Sequence, residues 1–274
     1  MSNITELTST AVRHQLKARE IAVKEISPLG ASMRRFILAG DQLEEDFPYY
    51  PLAPIDHVKL AFPHPETGTI ILPEFGENGP RTRADGLIPL TRDYSVRKFD
   101  IETKELTIDF VLHDHGPAGR WAKNAKVGDP IGVIGPRGSR IYSPDFDSYV
   151  FLSDLTGLPA LSRWLEEIPR GKDTLGVVSV DSIRDVIPVR GPGHTQIQWH
   201  YPPETTDRLL NAVKSLDSDL LRRSYIWGGG EAGELARIRR YLVRELGVSS
   251  KQVDLDGYWK IGVVNRDHHQ ELEA

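Results

Sequence analysis

The sequence lacks cysteine altogether and contains only two methionines among its 274 residues. The absence of cysteine excludes disulfides, iron–sulfur clusters held by thiolates and a cysteine nucleophile. No apolar run of about 18 residues is present, and the N-terminus lacks the apolar core of a secretory signal. We therefore expect a cytoplasmic protein that does not insert into a membrane.

The chain also lacks a strong excess of charge of either sign, with 34 lysines and arginines against 39 aspartates and glutamates. The net charge of −5 predicts no nucleic-acid partner, and a basic site would have to be local. Nine histidines are present, but no carboxylate accompanies them at a spacing typical of metal ligands, so we expect no bound metal. The absence of a nucleophile-elbow pattern leaves a hydrolase without support.

Short strands dominate the first half of the chain. Apolar and polar residues alternate in runs separated by turn signals, at residues 21–26, 33–38, 57–62, 69–72, 90–99 and 106–112. Such runs predict an antiparallel barrel domain over residues 20–146, which residues 131–134 would close. Residues 1–19 are polar and are expected to form a flexible arm.

The pattern changes in the second half, where short apolar runs alternate with segments of helical spacing. The predicted strands are residues 149–153, 175–180, 197–199 and 224–227, and the predicted helices are residues 158–168, 209–216 and 235–246. This alternation predicts a parallel sheet. We expect a second domain over residues 147–274, so the fold class is a β barrel plus an α/β domain.

Residues 92–95 carry the pattern Arg-x-Tyr-Ser, by which ferredoxin-reductase-like barrels hold a flavin. An extended strand would present the ring of Tyr94 to the isoalloxazine and the backbone and hydroxyl of Ser95 to its polar edge. Arg92 is left for the pyrophosphate, which suits a planar and permanently charged guanidinium. The alternative is an ordinary strand with one exposed arginine.

Two other segments are candidate contacts of a flavin. Residues 116–121 form a loop that opens a predicted helix over residues 118–125, where free N–H groups favour a phosphate. Thr156 follows a predicted strand, and ligands of open α/β sheets bind at the carboxyl ends of strands, so Thr156 could contact a flavin or a nicotinamide. The alternative is that Asp154 or Thr156 caps the next helix, and both can be true.

Two segments of the second half are candidates for binding a nucleotide. In residues 228–231, three glycines precede Glu231 and a helix, which allows close approach of a phosphate, although a tight structural turn explains them equally well. Residues 175–180 are followed by Asp181 and Arg184. Arg184 could pair with the 2′-phosphate of NADPH, whereas Asp181 suits the free 2′-hydroxyl of NADH.

The chain resembles the siderophore-interacting protein family, the cytoplasmic flavin-dependent ferric-siderophore reductases that include the vibriobactin-utilisation type. The resemblance extends from about residue 18 to residue 262. It is carried by Asp56-His57-Val58-Lys59-Leu60 with Phe62-Pro63, by residues 92–95, 109–113 and 116–122, by Gly128-Asp129 and Gly135-Pro136-Arg137-Gly138-Ser139, and by Leu158-Pro159-Ala160, Gly230-Glu231 and Gly257-Tyr258-Trp259-Lys260.

The resemblance implies a barrel that binds FAD, a domain that binds NAD(P)H, and reduction of a ferric siderophore with release of Fe(II). NADPH or NADH would be the electron donor, and ferredoxin is an alternative donor. The candidate FAD residues are Arg92, Asp93, Tyr94, Ser95, Asp109, Val111, His113, Ala118, Gly119, Trp121, Thr156 and Trp259. The candidate NAD(P)H residues are Asp154, Arg184, Gly229, Gly230 and Glu231. Lys59, Arg137 and Lys260 fall on the family's basic positions and would face an anionic siderophore.

A flavin suits this chemistry because it accepts a hydride and releases electrons singly. Reduction then weakens the binding of iron, since oxygen-rich chelators prefer the harder Fe(III) ion. Two alternatives remain open from the sequence. One is a general NAD(P)H:flavin or quinone reductase, and the other is a non-catalytic siderophore-binding protein.

The sequence departs from the family pattern at two positions. Leu155 stands where the family often has glutamate, and Gly119 stands where it usually has serine. A hydroxyl contact with the flavin phosphates is therefore missing at position 119. The backbone N–H of Gly119 can still serve that group, so FAD remains the expected cofactor.

Overall fold

The computed structural model describes residues 8–76, 79–81, 83–114, 116–193, 195–202 and 207–263. The chain divides into two compact units. Ala11–Ile141 form the antiparallel unit, and Met1–Thr10 with Tyr142–Ala274 form the parallel unit. The division at residue 142 falls a few residues before the boundary predicted at 146, because the last strand of the first half ends at Tyr142.

The strands of the first half and its single helix are β1 (Ser9–Arg13), β2 (Ala18–Leu29), β3 (Met33–Ala39), β4 (His57–Ala61), β5 (Glu74–Gly76), β6 (Gly79–Arg81), β7 (Thr91–Ser95), β8 (Lys98–Asp100), β9 (Glu105–Val111), α1 (Gly116–Asn124), β10 (Pro130–Ile134) and β11 (Gly138–Tyr142). Seven of these strands form one sheet in the order β7-β4-β10-β2-β3-β9-β8, with antiparallel pairing throughout. The antiparallel, barrel-like sheet expected from the alternating runs is confirmed.

The period of two along the strands determines what the antiparallel unit buries. On β9, Leu106, Ile108 and Phe110 are fully buried, while the residues between them face the other side of the sheet. Phe110 lies in an aromatic group with Phe36, whose ring centroid is 4.8 Å away. Because aromatic rings bury large areas and prefer tilted or edge-to-face contacts, this group contributes to the core of the antiparallel unit.

The N-terminal residues differ from the flexible arm that the sequence predicts over residues 1–19. Residues 1–7 lie outside the described part of the chain, but β1 pairs with β11 in a two-stranded sheet. The backbone N–H of His14 donates to the carbonyl of Arg137, and Nε2 of His14 lies 2.9 Å from Oγ of Ser139. This strand satisfies its backbone by pairing while its side chains stay exposed, so hydrophobic periodicity does not reveal it.

The elements of the second half are β12 (Ser148–Ser153), α2 (Leu158–Glu167), β13 (Asp173–Ser179), β14 (Thr195–His200), α3 (Arg208–Ser215), α4 (Ser218–Arg223), β15 (Tyr225–Glu231), α5 (Ala232–Arg240) and β16 (Val253–Trp259). The five strands form a parallel sheet in the order β14-β13-β12-β15-β16, so the predicted parallel sheet is confirmed, although the sequence pattern did not indicate β16. Among the described residues, no helix combines the length and apolar character needed to cross a bilayer.

The strand order of the parallel sheet reverses between β12 and β15. From β12 the chain proceeds outward to β13 and β14, and it then returns to the other side of β12 to form β15 and β16. All six residues of β12 are buried, as expected for the central strand of a covered parallel sheet. The carboxyl ends of β12 and β15 therefore border the crevice in which open α/β sheets bind ligands.

A close backbone contact fixes the carboxyl ends of these two strands. A Cβ atom at Gly157 would lie 2.1 Å from the carbonyl oxygen of Gly229, a separation that no side chain can adopt. We expect Gly157→Ala to lower the free energy of unfolding by about 1–3 kcal/mol, because the loop after β12 must move away from β15. Denaturant unfolding followed by tryptophan fluorescence measures this change.

The matched control is Gly193→Ala in the same unit, where a Cβ atom would meet nothing within 4 Å. That variant should unfold at the wild-type denaturant concentration. Equal stability of the two variants would show that the contact between Gly157 and Gly229 does not constrain the fold.

Candidate functional site

Strand β7 is the edge strand that carries the Arg-x-Tyr-Ser pattern, and it pairs with β4. Side chains alternate along a strand, so Arg92 and Tyr94 share one side of the sheet while Asp93 and Ser95 share the other. The four predicted flavin residues are thus divided between two faces. Ser95 lies opposite His57 in the register of the pair.

Tyr94 is partly buried against the aromatic core of the antiparallel unit. Its ring centroid lies 4.2 Å from that of Phe110 and 6.4 Å from that of Phe62. Burial raises the pKa of the Tyr94 hydroxyl, and the nearby positive charge of Arg92 opposes that shift. An ordinary tyrosine is already protonated at neutral pH, so this shift leaves the Tyr94 hydroxyl a hydrogen-bond donor.

Arg92 is half-buried on the same side as Tyr94. Its guanidinium donates a hydrogen bond of 2.6 Å to the carbonyl oxygen of Thr91. Within the described ranges it has no carboxylate partner, so its charge is not neutralised by the protein there. An unneutralised, partly buried guanidinium is suited to a phosphate or carboxylate anion, because its planar fork can donate two parallel hydrogen bonds.

On the opposite side of β7, Asp93 is already paired. Nζ of Lys59 lies 2.8 and 2.9 Å from the two carboxylate oxygens of Asp93, its cross-strand neighbour. Lys59 is a predicted substrate cation and Asp93 a predicted flavin residue. Since the two opposite charges offset each other, the pair of Lys59 and Asp93 attracts an anion less strongly than an unpaired lysine would.

Asp109 also has partners within the antiparallel unit. Its buried carboxylate accepts two hydrogen bonds of 2.7 Å from Arg35, its cross-strand neighbour on β3, and Nε of Arg97 lies 3.9 Å away. It faces the side of β9 opposite Phe110, the residue that contacts Tyr94. The structure thus gives Asp109 a role in joining β3 to β9 and separates it from the face that carries Tyr94.

The predicted phosphate helix is present as α1, and it begins two residues before the predicted start at 118. Ala118 is buried, and the Trp121 ring lies 5.3 Å from Phe36 in the aromatic core. Val111 ends β9, which directs the following residues towards α1. The helix therefore packs against the core that also supports Tyr94.

The glycine at position 119 has a physical cause in this chain. A Cβ atom there would lie 2.3 Å from the carbonyl oxygen of His113 and 2.7 Å from Nδ1 of its ring. The serine usual in the family would require His113 to move. His113 and Gly119, two predicted flavin residues, are thus in close contact.

In the parallel unit, Asp154 lies at the carboxyl end of β12. Oδ1 of its partly buried carboxylate accepts hydrogen bonds from N and Oγ1 of Thr156, at 2.7 and 2.6 Å, and from the N–H of Gly157 at 3.3 Å. Oδ2 accepts one of 2.7 Å from Nε1 of Trp259. Burial raises the pKa of Asp154, while these donors act in the opposite direction.

These contacts bring together three predicted site residues from distant parts of the sequence. Asp154 was predicted to bind NAD(P)H, and Thr156 and Trp259 to bind a flavin. Trp259 is 41% exposed although its indole N–H is bound by Asp154, so part of this residue is accessible to a ligand. The predicted capping role of Asp154 is not present, because Gly157 is the N-cap of α2 and no side chain caps that helix. The carboxylate of Asp154 instead accepts hydrogen bonds from the backbone of the turn that precedes α2.

The three consecutive glycines do not form a loop, because β15 continues through them to Glu231. Cβ atoms at Gly228 and Gly230 would lie 2.7 Å from Leu255 and 2.9 Å from Oδ2 of Asp154. The carboxylate of Glu231 accepts a hydrogen bond from the N–H of Glu234 and so caps α5. The close packing explains the glycines, which is the structural alternative to a phosphate-binding loop. The first turn of α5 already has an anionic partner in the carboxylate of Glu231.

The predicted 2′-phosphate residue Arg184 is exposed and lies in a 3₁₀ turn, Ile183–Asp185. A different arginine pairs with Asp181: the guanidinium of Arg208 donates to its carboxylate and, at 3.2 Å, to Oγ of Ser179. Sequence reasoning missed Arg208 because 27 positions separate it from Asp181. No local pattern connects the first residue of one helix with the end of a distant strand.

The remaining predicted substrate cations are exposed. Arg137 is the last residue of the turn before β11, and its side chain has no carboxylate partner among the residues that the structure describes. It belongs to the antiparallel unit with Lys59, whose cross-strand neighbour Ile134 is three positions away. Lys260 follows β16 in the parallel unit. The convergence of the three cations stays a prediction.

Comparison with known proteins identifies the family. The profile of the siderophore-interacting FAD-binding domain matches residues 22–140, and that of the siderophore-interacting protein matches residues 146–262. The chain belongs to the siderophore-interacting protein family. The antiparallel unit thus carries the family's FAD-binding domain, and the resemblance noted in the sequence is confirmed.

Three relatives illustrate the similarity. The chain is 39% identical to a siderophore utilization protein from T. fusca, with a TM-score of 0.85 over 96% of this chain and 100% of that one. It is 29% identical to the ferric vibriobactin reductase ViuB of Vibrio cholerae, over 78% of this chain and 80% of the relative. It is 34% identical to an NADPH-dependent ferric-chelate reductase of Escherichia coli, over 64% of this chain and 66% of the relative.

The pairing of Asp109 with Arg35 generates a prediction that separates stability from cofactor binding. Asp109→Asn removes the charge from a buried, doubly hydrogen-bonded partner, so the free energy of unfolding should fall by about 2–3 kcal/mol. Denaturant unfolding measures the change, with the exposed Asp41→Asn of the same unit as control. A variant with wild-type stability that has lost its flavin would instead place Asp109 at the cofactor.

Proposed function

We propose that the protein is an NAD(P)H-dependent ferric-siderophore reductase of the cytoplasm, which passes electrons through FAD to the bound iron and releases Fe(II). The observation that carries this proposal is that the side chains of Arg92 and Tyr94 lie on the same side of β7. A guanidinium without a carboxylate partner lies there beside a protonated, partly buried phenol. These are the groups that a flavin with a pyrophosphate requires.

The residues of the antiparallel unit fit FAD. Arg92 would hold the pyrophosphate, Tyr94 would lie against the isoalloxazine, and the backbone N–H groups of His113 and Gly119 would serve the phosphates at the start of α1. When bound, FAD would supply the redox chemistry, because a flavin can accept a hydride and release electrons one at a time. We assign its binding to residues 20–146, with the backbone of Ser95 on the polar edge of the ring, because the Ser95 side chain lies on the face of β7 opposite Tyr94.

The parallel unit would bind the electron donor, and we assign it residues 147–274. Its crevice between β12 and β15 is bordered by Asp154 and by Gly229 and Gly230. Asp154 orients the indole of Trp259, whose exposed part can cover an aromatic ring. NADPH is the proposed donor, in line with the Escherichia coli relative named for it. Reduction of the bound flavin by ferredoxin but not by NADPH would contradict this part of the proposal.

Cations on the antiparallel unit would attract the substrate. Ferric siderophores are often anionic, and the chain as a whole is acidic, with a net charge of −5. Arg137 is the stronger candidate because it lacks a carboxylate partner in the described part of the chain, whereas Lys59 shares its charge with Asp93. A local positive potential raises the concentration of an anionic iron complex near the protein, and salt weakens it.

We expect the protein to copurify with non-covalent FAD. Arg92→Ala should raise the dissociation constant for FAD by about tenfold or more, because a charge-assisted pair with the pyrophosphate is lost. Arg240→Ala in α5 removes an arginine at an exposed position and should keep the flavin. Heat release of the cofactor and its mass identify it, and titration of the apoprotein measures affinity. An FMN mass, or a colourless protein after reconstitution, would contradict the proposal.

We further expect Arg137→Ala to raise the KM for a ferric catecholate by about threefold or more at low salt and to leave FAD content unchanged. Lys59→Ala should have a smaller effect because Asp93 already offsets that charge. Lys126→Ala, an exposed lysine of the same unit, is the control. Activity loss that follows loss of FAD would reject the substrate role. Faster turnover of free flavin or quinone than of the iron complex would reject the proposed reaction.

A further inference from the structure

A polar cluster lies at the carboxyl end of β13 and serves no role described so far. Arg208, the first residue of α3, donates hydrogen bonds to Oγ of Ser179 and to the carboxylate of Asp181. The two charged partners differ in exposure. The side chain of Arg208 is 25% exposed, whereas that of Asp181 is 88% exposed. The guanidinium is thus held by the protein, and its carboxylate partner extends into solvent.

The backbone beneath Arg208 is fixed from the neighbouring helix. Oε1 of Glu234 in α5 accepts hydrogen bonds from the N–H groups of Leu209 and Leu210, at 2.8 and 3.2 Å. Asp207, which precedes the helix, forms an ion pair with Arg237 of α5. Because both sides of the first turn are attached to α5, Arg208 presents its guanidinium from a rigid support.

The position of this cluster in the sheet indicates what it could recognise. Strand β13 is the immediate neighbour of β12, whose carboxyl end borders the crevice at the reversal of strand order. In dinucleotide-binding sheets, the residues after this second strand contact the adenosine ribose. An acid there binds a free 2′-hydroxyl, and an arginine nearby accommodates a 2′-phosphate. The chain places both residues there, in contact with each other.

We propose that Arg208, together with the hydroxyl of Ser179, binds the 2′-phosphate of NADPH, and that the phosphate displaces Asp181 from the guanidinium. This inference rests on the proposed function, in which NADPH is the donor. It replaces Arg184, the arginine that the sequence indicated for the same group.

The ion pair of Asp181 with Arg208 can be broken at a small cost in free energy. An ion pair with an exposed partner contributes little to stability, because water and salt compete for both charges. A phosphate carries more charge than a carboxylate and can accept two parallel hydrogen bonds from a guanidinium. The exposed carboxylate can rotate into solvent and leave Arg208 in its place. A free 2′-hydroxyl would leave the ion pair intact, so NADH gains nothing from Arg208.

The test measures binding of adenosine 2′,5′-bisphosphate and of AMP by calorimetry, with the FAD-loaded protein and four variants. Arg208→Ala should weaken binding of the bisphosphate by about tenfold or more and leave that of AMP unchanged. Asp181→Asn should tighten binding of the bisphosphate, because it removes the competing carboxylate. Arg223→Ala, an exposed arginine of α4, is the control for loss of charge. Arg184→Ala tests the competing residue.

The outcomes separate the inference from the proposed function. Tighter binding by Asp181→Asn cannot result from misfolding, so it supports the inference even if Arg208→Ala is unstable. Wild-type affinity for the bisphosphate in Arg208→Ala, or a loss confined to Arg184→Ala, would overturn the role of Arg208 while NADPH remained the donor. A wild-type protein that binds AMP and the bisphosphate equally, and whose flavin NADPH does not reduce, would overturn both.

Discussion

The partly buried carboxylate of Asp154 organises the carboxyl edge of the parallel sheet. It accepts hydrogen bonds from the loop that leads into α2 and from Trp259, which lies 105 positions later in the chain. Such a carboxylate is costly to bury unless its oxygens are satisfied, so its donors constrain one another through it. Loss of the indole N–H of Trp259 would remove the hydrogen bond that Oδ2 accepts, whereas Oδ1 would keep two donors after the loss of one. One side chain therefore fixes the relation between β12, α2 and the end of β16.

The glycines of this edge follow from the same constraint. Gly230 lies so close to Asp154 that a side chain would displace the carboxylate, and Gly157 lies against the carbonyl of Gly229. What resembles a phosphate-binding loop in the sequence is a strand whose neighbours approach closely. A nucleotide would then meet a surface already shaped by the contacts of Asp154 and the cap formed by Glu231. The packing and the proposed binding crevice are two consequences of one arrangement.

Much of the fold was predictable from the sequence, because alternation on strands such as β9 and helical spacing in α2 reflect burial directly. Strand β1 escaped prediction because its polar side chains remain exposed. The pattern of the candidate site was also recognisable, but its pairings were not. The bonds of Lys59 with Asp93 and of Arg35 with Asp109 depend on strand register, which a residue's own neighbours do not reveal.

Carboxylate partners distinguish the arginines of this protein by role. Arg35 is bound to a buried carboxylate that cannot leave without loss of stability, so its charge is committed to the fold. Arg92 has no carboxylate partner within the described part of the chain, and the partner of Arg208 extends into water. A half-buried guanidinium gains most from a ligand when the protein leaves it with weak competition. By that criterion Arg92 in the FAD-binding domain and Arg208 beside the crevice of the parallel sheet are both suited to bind an anion. The pyrophosphate of a flavin would supply that anion to Arg92, and the 2′-phosphate of the donor would supply it to Arg208.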